Sequence, residues 1–260
     1  MLSLGLTSVT FRELGIDEII SFCSECGLSA IEWGSDVHVP EKDRQNAAAA
    51  AEKTVAAGIR VSSYGSYYRA GTYENPAAVF KDYLKTAEIL GAPIIRIWAG
   101  SVSSEAADKQ YYEKLVCEVR QLCDMAARYN IDIAFEFHNG TFTDSADSAL
   151  KLAGDINRDN IGLYFQYDPF ITVDENCRTL SRLLPYLKMI HVFNVDKSYR
   201  RFSIGERNGA DMWRRFIKIA KDSRVSLLFE FLEPSTLQRL KTEACIMKNL
   251  IREVYQVTID

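Results

Sequence analysis

Short apolar runs alternate with longer amphipathic stretches eight times along this chain, and that rhythm limits the folds open to it more than any single motif. The runs fall at residues 2–7, 29–33, 59–64, 93–98, 131–138, 160–167, 189–194 and 226–231. Helical spacing fills 17–26, 43–57, 76–90, 105–129, 145–156, 175–187, 210–222 and 237–254, with Pro185 disturbing the end of the sixth helix. Three helices stop at a glycine that leads into the next strand, in Gly27-Leu28, Gly58-Ile59 and Gly91-Ala92. A glycine in that place supplies a left-handed cap, and Asn130 does the same job less well before Ile131. Strands alternating with helices predict βαβ units and a parallel sheet. Eight such units in 260 residues predict an α/β protein of one domain, residues 1–260, closed as a parallel (β/α)8 TIM barrel, which takes about 250 residues. An open doubly wound sheet should carry a glycine fingerprint after its first strand, and Leu6-Thr7-Ser8-Val9-Thr10-Phe11 has none.

Barrel active sites lie at the C-terminal ends of the strands. The fifth run, 131–138, ends in Glu136 and His138, which share a face because side chains two apart on a strand point the same way. Glu136 stands between Phe135 and Phe137, and Glu230 between Phe229 and Phe231. A carboxylate in such surroundings is costly unless something pairs with it or binds it. The sixth run offers Gln166 and Asp168, and the seventh His191 and, beyond it, Lys197. Earlier runs end near His38, Tyr67, Arg96 and Trp98, which with His138 and Lys197 are candidates for contacting a substrate. His38 is also readable as a solvated loop residue, and Arg96 as the ion-pair partner of a carboxylate inside the barrel. The chain has only 3 histidines, and all fall at expected strand ends. Glu136, Glu230 and His191 on neighbouring strands suit one divalent ion, Mn²⁺ or Mg²⁺ first, with Zn²⁺ or Co²⁺ as alternatives. Such an ion can hold two adjacent oxygens of a hydroxy-ketone and stabilise an enediolate, while Glu136 and Glu230 exchange protons on either side.

Other classes are disfavoured. A net charge of −4 and a pI near 5.6 give no basic footprint for nucleic acid. The 6 cysteines lack the spacing of a disulfide framework, and the Cys23–Cys26 pair sits alone in a helical pattern. No run approaches the roughly 18 apolar residues of a membrane span, and the first residues lack the charged and apolar regions of a signal peptide. A cytoplasmic protein with a small-molecule partner is expected, and homo-oligomerisation is left open.

With these residues in view, the chain resembles the xylose isomerase-like barrels, in particular their sugar phosphate isomerase/epimerase branch. The resemblance spans almost the whole chain. It is carried by Phe135-Glu136-Phe137-His138, His191-Val192-Phe193-Asn194, Ser203-Ile204-Gly205-Glu206 through Trp213, and Leu228-Phe229-Glu230-Phe231. It implies a metal held by Glu, Asp, His and Glu from strands five to eight, and Glu136, His191 and Glu230 match. At the Asp position stands Gln166, with Asp168 two residues on at the same parity. Register favours Gln166 as the strand-six ligand. A histidine and an arginine found in ketose 3-epimerases are also replaced here, the latter by Lys197. The resemblance therefore implies an isomerase or epimerase of a small sugar or sugar phosphate. Two rivals stand beside it: a dehydratase or lyase using the same metal, and a sugar-binding or regulatory protein whose metal site has degraded. Apurinic endonucleases share the barrel, but their three-zinc site takes more histidines than this chain has.

Overall fold

The structure is a computed structural model and describes residues 2–256. Its strands are β1 (Ser3–Thr7), β2 (Ala30–Gly34), β3 (Arg60–Arg69), β4 (Ile94–Trp98), β5 (Asp132–Glu136), β6 (Ile161–Phe165), β7 (Leu187–Val192) and β8 (Ser226–Phe229). The helices that follow them in turn are α1 (Ile16–Glu25), α2 (Arg44–Ala56), α3 (Pro76–Leu90), α4 (Lys109–Ala127), α5 (Ala146–Ile156), α6 (Val173–Leu183), α7 (Gly209–Ala220) and α8 (Leu237–Gln256). Every strand pairs in parallel with its neighbours, and β1 pairs with both β2 and β8, so the sheet closes into a (β/α)8 barrel.

The caps follow the sequence signals. Gly91 takes φ 65° behind α3 and Asn130 φ 55° behind α4. Asp108 opens α4 by accepting a hydrogen bond from the Tyr111 N–H at 2.7 Å, which starts that helix at Lys109 rather than at 105. Pro185 lies in a 3-10 turn, Leu184–Tyr186, and α6 stops before it. The third strand departs most from expectation. It continues through Gly65 to Arg69 instead of ending at Tyr64. Aromatic side chains favour a pleated surface, and here they alternate. Tyr68 is buried, its hydroxyl donating to Glu118 at 2.8 Å, while Tyr67 turns to the barrel mouth.

Two layers define the interior. Ala30, Ile94, Ala134, Tyr164, Met189 and Leu228 come from six different strands and form a buried cluster apart from the main core. That is the filled inside of the barrel. Small residues let the plug close: a Cβ on Gly5 would lie 2.5 Å from the Ala30 carbonyl oxygen and 2.7 Å from Leu228 Cδ2. Side chains two residues further along a strand return to the same face. From those six positions, they are Glu32, Arg96, Glu136, Gln166, His191 and Glu230. The strand period that builds an apolar plug thus stacks a polar layer on top of it.

Candidate active site

His191 occupies the middle of this layer and is fully buried. Its Nδ1 lies 3.4 Å from Glu136 Oε1 and 3.3 Å from Glu230 Oε2, and its Nε2 lies 3.7 Å from Glu32 Oε1. The Tyr164 ring meets the imidazole edge-on, with centroids 5.3 Å apart. Arg96 is the internal counter-charge. Its Nη1 donates to Glu136 Oε2 at 2.8 Å, and its Nε lies 3.6 Å from Glu32 Oε1. The Trp98 indole N–H also donates to Glu136 Oε2, and the Thr143 hydroxyl holds the Glu136 carbonyl at 2.7 Å. Ser63 donates to Glu32 Oε2 at 2.8 Å. Gly65 makes room for the cluster, since a Cβ there would stand 2.9 Å from Glu32 Oε1.

Charge overrules burial at these groups. Burial alone pushes the Glu136 and Glu32 carboxyls up, but the Arg96 charge, with His191 assisting, holds both below the usual carboxylate range. Burial likewise pushes the His191 imidazole down, and Glu230, Glu136 and Glu32 raise it well above its ordinary value. The carboxylate cage therefore favours a cation at its centre. The side chains also suit a metal. Glu136, His191 and Glu230 each offer a ligand atom, all within 4.8 Å of one another. Both His191 nitrogens and Glu230 Oε2 are buried without a hydrogen-bond partner. Buried polar atoms are normally satisfied, and an ion between these three would satisfy Glu230 Oε2 and one His191 nitrogen, Nδ1, which faces both carboxylates.

The layer forms the floor of a cavity of about 220 Å³ at the C-terminal ends of the strands. Tyr67, Arg96, Trp98 and His138 all line it, as do Gln166 and Asp168. Tyr67 packs edge-on to Trp98, with ring centroids 5.2 Å apart, and His138 sits 5.9 Å from Trp98. Gln166 donates its amide N–H to the Phe137 carbonyl at 2.6 Å. The Asp168 carboxylate instead accepts from the Phe170 N–H at 2.8 Å and does not join the trio of ligand atoms. Two expected substrate contacts lie outside the lining. His38 is buried in the turn after β2, with Nε2 3.0 Å from the Leu14 carbonyl and its ring 6.0 Å from Trp33. Burial pushes its imidazole down, and the side chain packs in this turn outside the cavity lining. Lys197 is exposed on the β7–α7 loop, which folds back on itself through the Val195–Arg201 bridge, and it is not among the residues lining the cavity.

Arg12 was not among the sequence candidates, yet it lines the cavity. It bonds Asp36 at 2.5 Å, the Tyr67 hydroxyl at 2.9 Å and the Val9 carbonyl at 3.0 Å, tying the first three strand ends together. Its signal was its place just past the first strand, as the first charged residue of the chain.

Comparison with known proteins agrees with this architecture. The family model described as xylose isomerase-like TIM barrel matches residues 20–244, and the chain belongs to that family. A 3-dehydroshikimate dehydratase of Bacillus anthracis is 22% identical over 212 residues, covering 75% of this chain and 72% of that protein. An inosose isomerase of Bacillus velezensis is 26% identical over 61% of this chain, which matches little more than half, 56%, of that isomerase. A crystal structure of the IOLI protein with a bound zinc atom shares the fold, with a TM-score of 0.74 at 18% identity over 97% of each chain.

Proposed function

We propose that this protein is a divalent-metal-dependent enzyme that isomerises or epimerises a small sugar or sugar phosphate through an enediolate. The observation that carries the reading is the buried trio of Glu136, His191 and Glu230, with its ligand atoms close together and in part unpartnered. A divalent ion bound there supplies a Lewis acid for negative charge developing on two neighbouring substrate oxygens. Glu136, His191 and Glu230 would hold it. Gln166 would add its amide oxygen in preference to Asp168, whose carboxylate is turned to the backbone. Mn²⁺ or Mg²⁺ suits the carboxylate-rich set, and zinc, which the IOLI protein binds, suits the imidazole.

The chain's own groups divide the proton work. Arg96 and Trp98 both donate to Glu136 Oε2, which keeps that carboxylate ionised. Glu230 Oε2 has only the His191 imidazole beside it, 3.3 Å away, and no such donor, so Glu230 is the group free to take a proton from the hydroxyl-bearing carbon next to the carbonyl. Glu136, on the other side, would relay a proton from solvent to the opposite face, since its ionised carboxylate carries none of its own. Tyr67, Trp98 and His138 line the cavity above these groups and would orient the sugar.

Proton exchange needs no net product, so deuterium from D2O should enter the carbon beside the carbonyl of a bound ketose in metal-loaded protein. Glu230→Gln should slow this by at least about 10²–10⁴-fold, the usual worth of a general base. NMR of the recovered sugar reads the label. Turnover that retains the substrate's own hydrogen would overturn the two-base reading and leave the metal site standing. The dehydratase relative supports a second reading, in which the same abstraction is followed by loss of water; NMR would then show an unsaturated product.

A further inference from the structure

We infer that the substrate of this site carries a negative charge remote from its reacting carbons and that Arg201 receives it. The inference rests on the chemistry proposed at Glu136, His191 and Glu230 only for where the rest of the substrate lies.

Three arginines line the cavity. Arg96 is taken up by Glu136 and Glu32. Arg12 is committed to Asp36, Tyr67 and Val9. Arg201 is the remaining one, and its guanidinium makes no ion pair or hydrogen bond among the described residues. It lies over the Phe231 ring, 4.8 Å from the centroid. Stacking of this kind covers a face of the guanidinium and leaves its N–H edges free for the oxygens of an anion. Phe231 directly follows Glu230 and holds φ 54°, a left-handed conformation that non-glycine residues rarely adopt. The ring beneath Arg201 is thus placed by the residue next to the proposed base.

The loop that carries Arg201 is braced. Val195 and Arg201 form an antiparallel bridge, and the Phe202 N–H donates to the Asn194 carbonyl at 2.8 Å. The Asn194 side chain donates to the carbonyls of Ser203 at 2.6 Å and Glu206 at 2.9 Å. Glu243, fully buried on α8, accepts from the Ile204 N–H at 2.8 Å. The Ser203-Ile204-Gly205-Glu206 motif therefore serves to fix a hairpin whose one cavity-lining cation is Arg201. The other cations of the loop are placed differently. Arg207 pairs with Asp196 at 3.2 Å, while Arg200 and Lys197 are exposed and outside the lining. Asp168, the one acid of the lining that is not buried, is turned to the Phe170 N–H and makes no ion pair with Arg201. An unpaired, half-buried guanidinium on a rigid support in a binding cavity is complementary to a carboxylate or phosphate.

The test compares binding of fructose with that of fructose 6-phosphate and fructuronate, whose charges lie at the far end of the chain from the hydroxy-ketone, by calorimetry, with and without Mn²⁺, to wild type, Arg201→Gln and Arg201→Lys. In wild type at least one charged compound should bind about 10–100-fold more tightly than the neutral one, the usual worth of a charge-assisted hydrogen bond. Arg201→Gln should erase that preference while Mn²⁺ uptake stays unchanged, and Arg201→Lys should keep part of it. The stronger of the two anions identifies phosphate or carboxylate. Equal binding of charged and neutral compounds by wild type, or a preference that survives in Arg201→Gln, overturns the inference. Loss of Mn²⁺ uptake with the charge preference intact would remove the metal reading and leave Arg201 in its role.

Discussion

Glu32, Arg96 and Glu136 form a buried charge cluster whose pH dependence can be written down from its parts. Both carboxyls titrate below their ordinary 4.5 because the Arg96 charge outweighs the opposing effect of burial. Groups depressed by folding add stability that is complete above the unfolded value and is lost as pH falls through the folded one. His191 works in the other direction. Raised above its ordinary 6.5, it contributes fully below that value in metal-free protein and loses the contribution as pH climbs through the raised one. Arg96→Met removes the largest opposing charge, so burial weighs more at both carboxyls and the acid limb weakens. Breaking such a pair costs about 3–5 kcal/mol near neutral pH. The variant's Tm should then fall less steeply than that of wild type on acidification, or rise, as the carboxyls protonate. Calorimetry on chelator-treated protein checks this, and a profile parallel to wild type would contradict it. Glu136, His191 and Glu230 could be singled out from sequence because a charge inside an apolar run needs a partner. Arg12, His38 and Lys197 follow no such rule. Their positions are set by loop paths, which strand parity does not determine.

At the scale of elements, the ends of strands decide the chemistry. β6 ends at Phe165 and β8 at Phe229, so Gln166 and Glu230 stand just past the ladder with their inward parity preserved. That parity was readable in the sequence, because two-residue periodicity survives errors in strand boundaries. The choice between Gln166 and Asp168 was not, since both share it. Only the turn that bends Asp168 onto the Phe170 N–H separates them. Metal affinity should therefore fall more in Gln166→Ala than in Asp168→Ala, as titration of the stripped variants would measure. The reverse order would move the ligand to Asp168. The extension of β3 to Arg69 was hidden for a related reason. Gly65 reads as a turn residue, yet it lies in a strand to clear the carboxylate of Glu32 and the guanidinium of Arg96. A packing requirement from two other strands cannot be seen in local sequence.

For the whole molecule, closure was legible because eight strand–helix units leave a parallel sheet few alternatives, and β1 does pair with β8. The mouth was not, because its walls come from loops that no periodicity governs. A plugged barrel carries a polar layer two residues above its plug, and the proposed chemistry depends on three members of that layer holding a cation. The direct measurement is calorimetric titration of metal-stripped protein with Mn²⁺ near neutral pH. Wild type should take up about one ion per chain. His191→Ala should bind it more weakly by at least the roughly 10–100-fold seen when even an outer partner of a metal site is lost. No uptake by wild type, or undiminished uptake by His191→Ala, would contradict the assignment of Glu136, His191 and Glu230 as a metal centre.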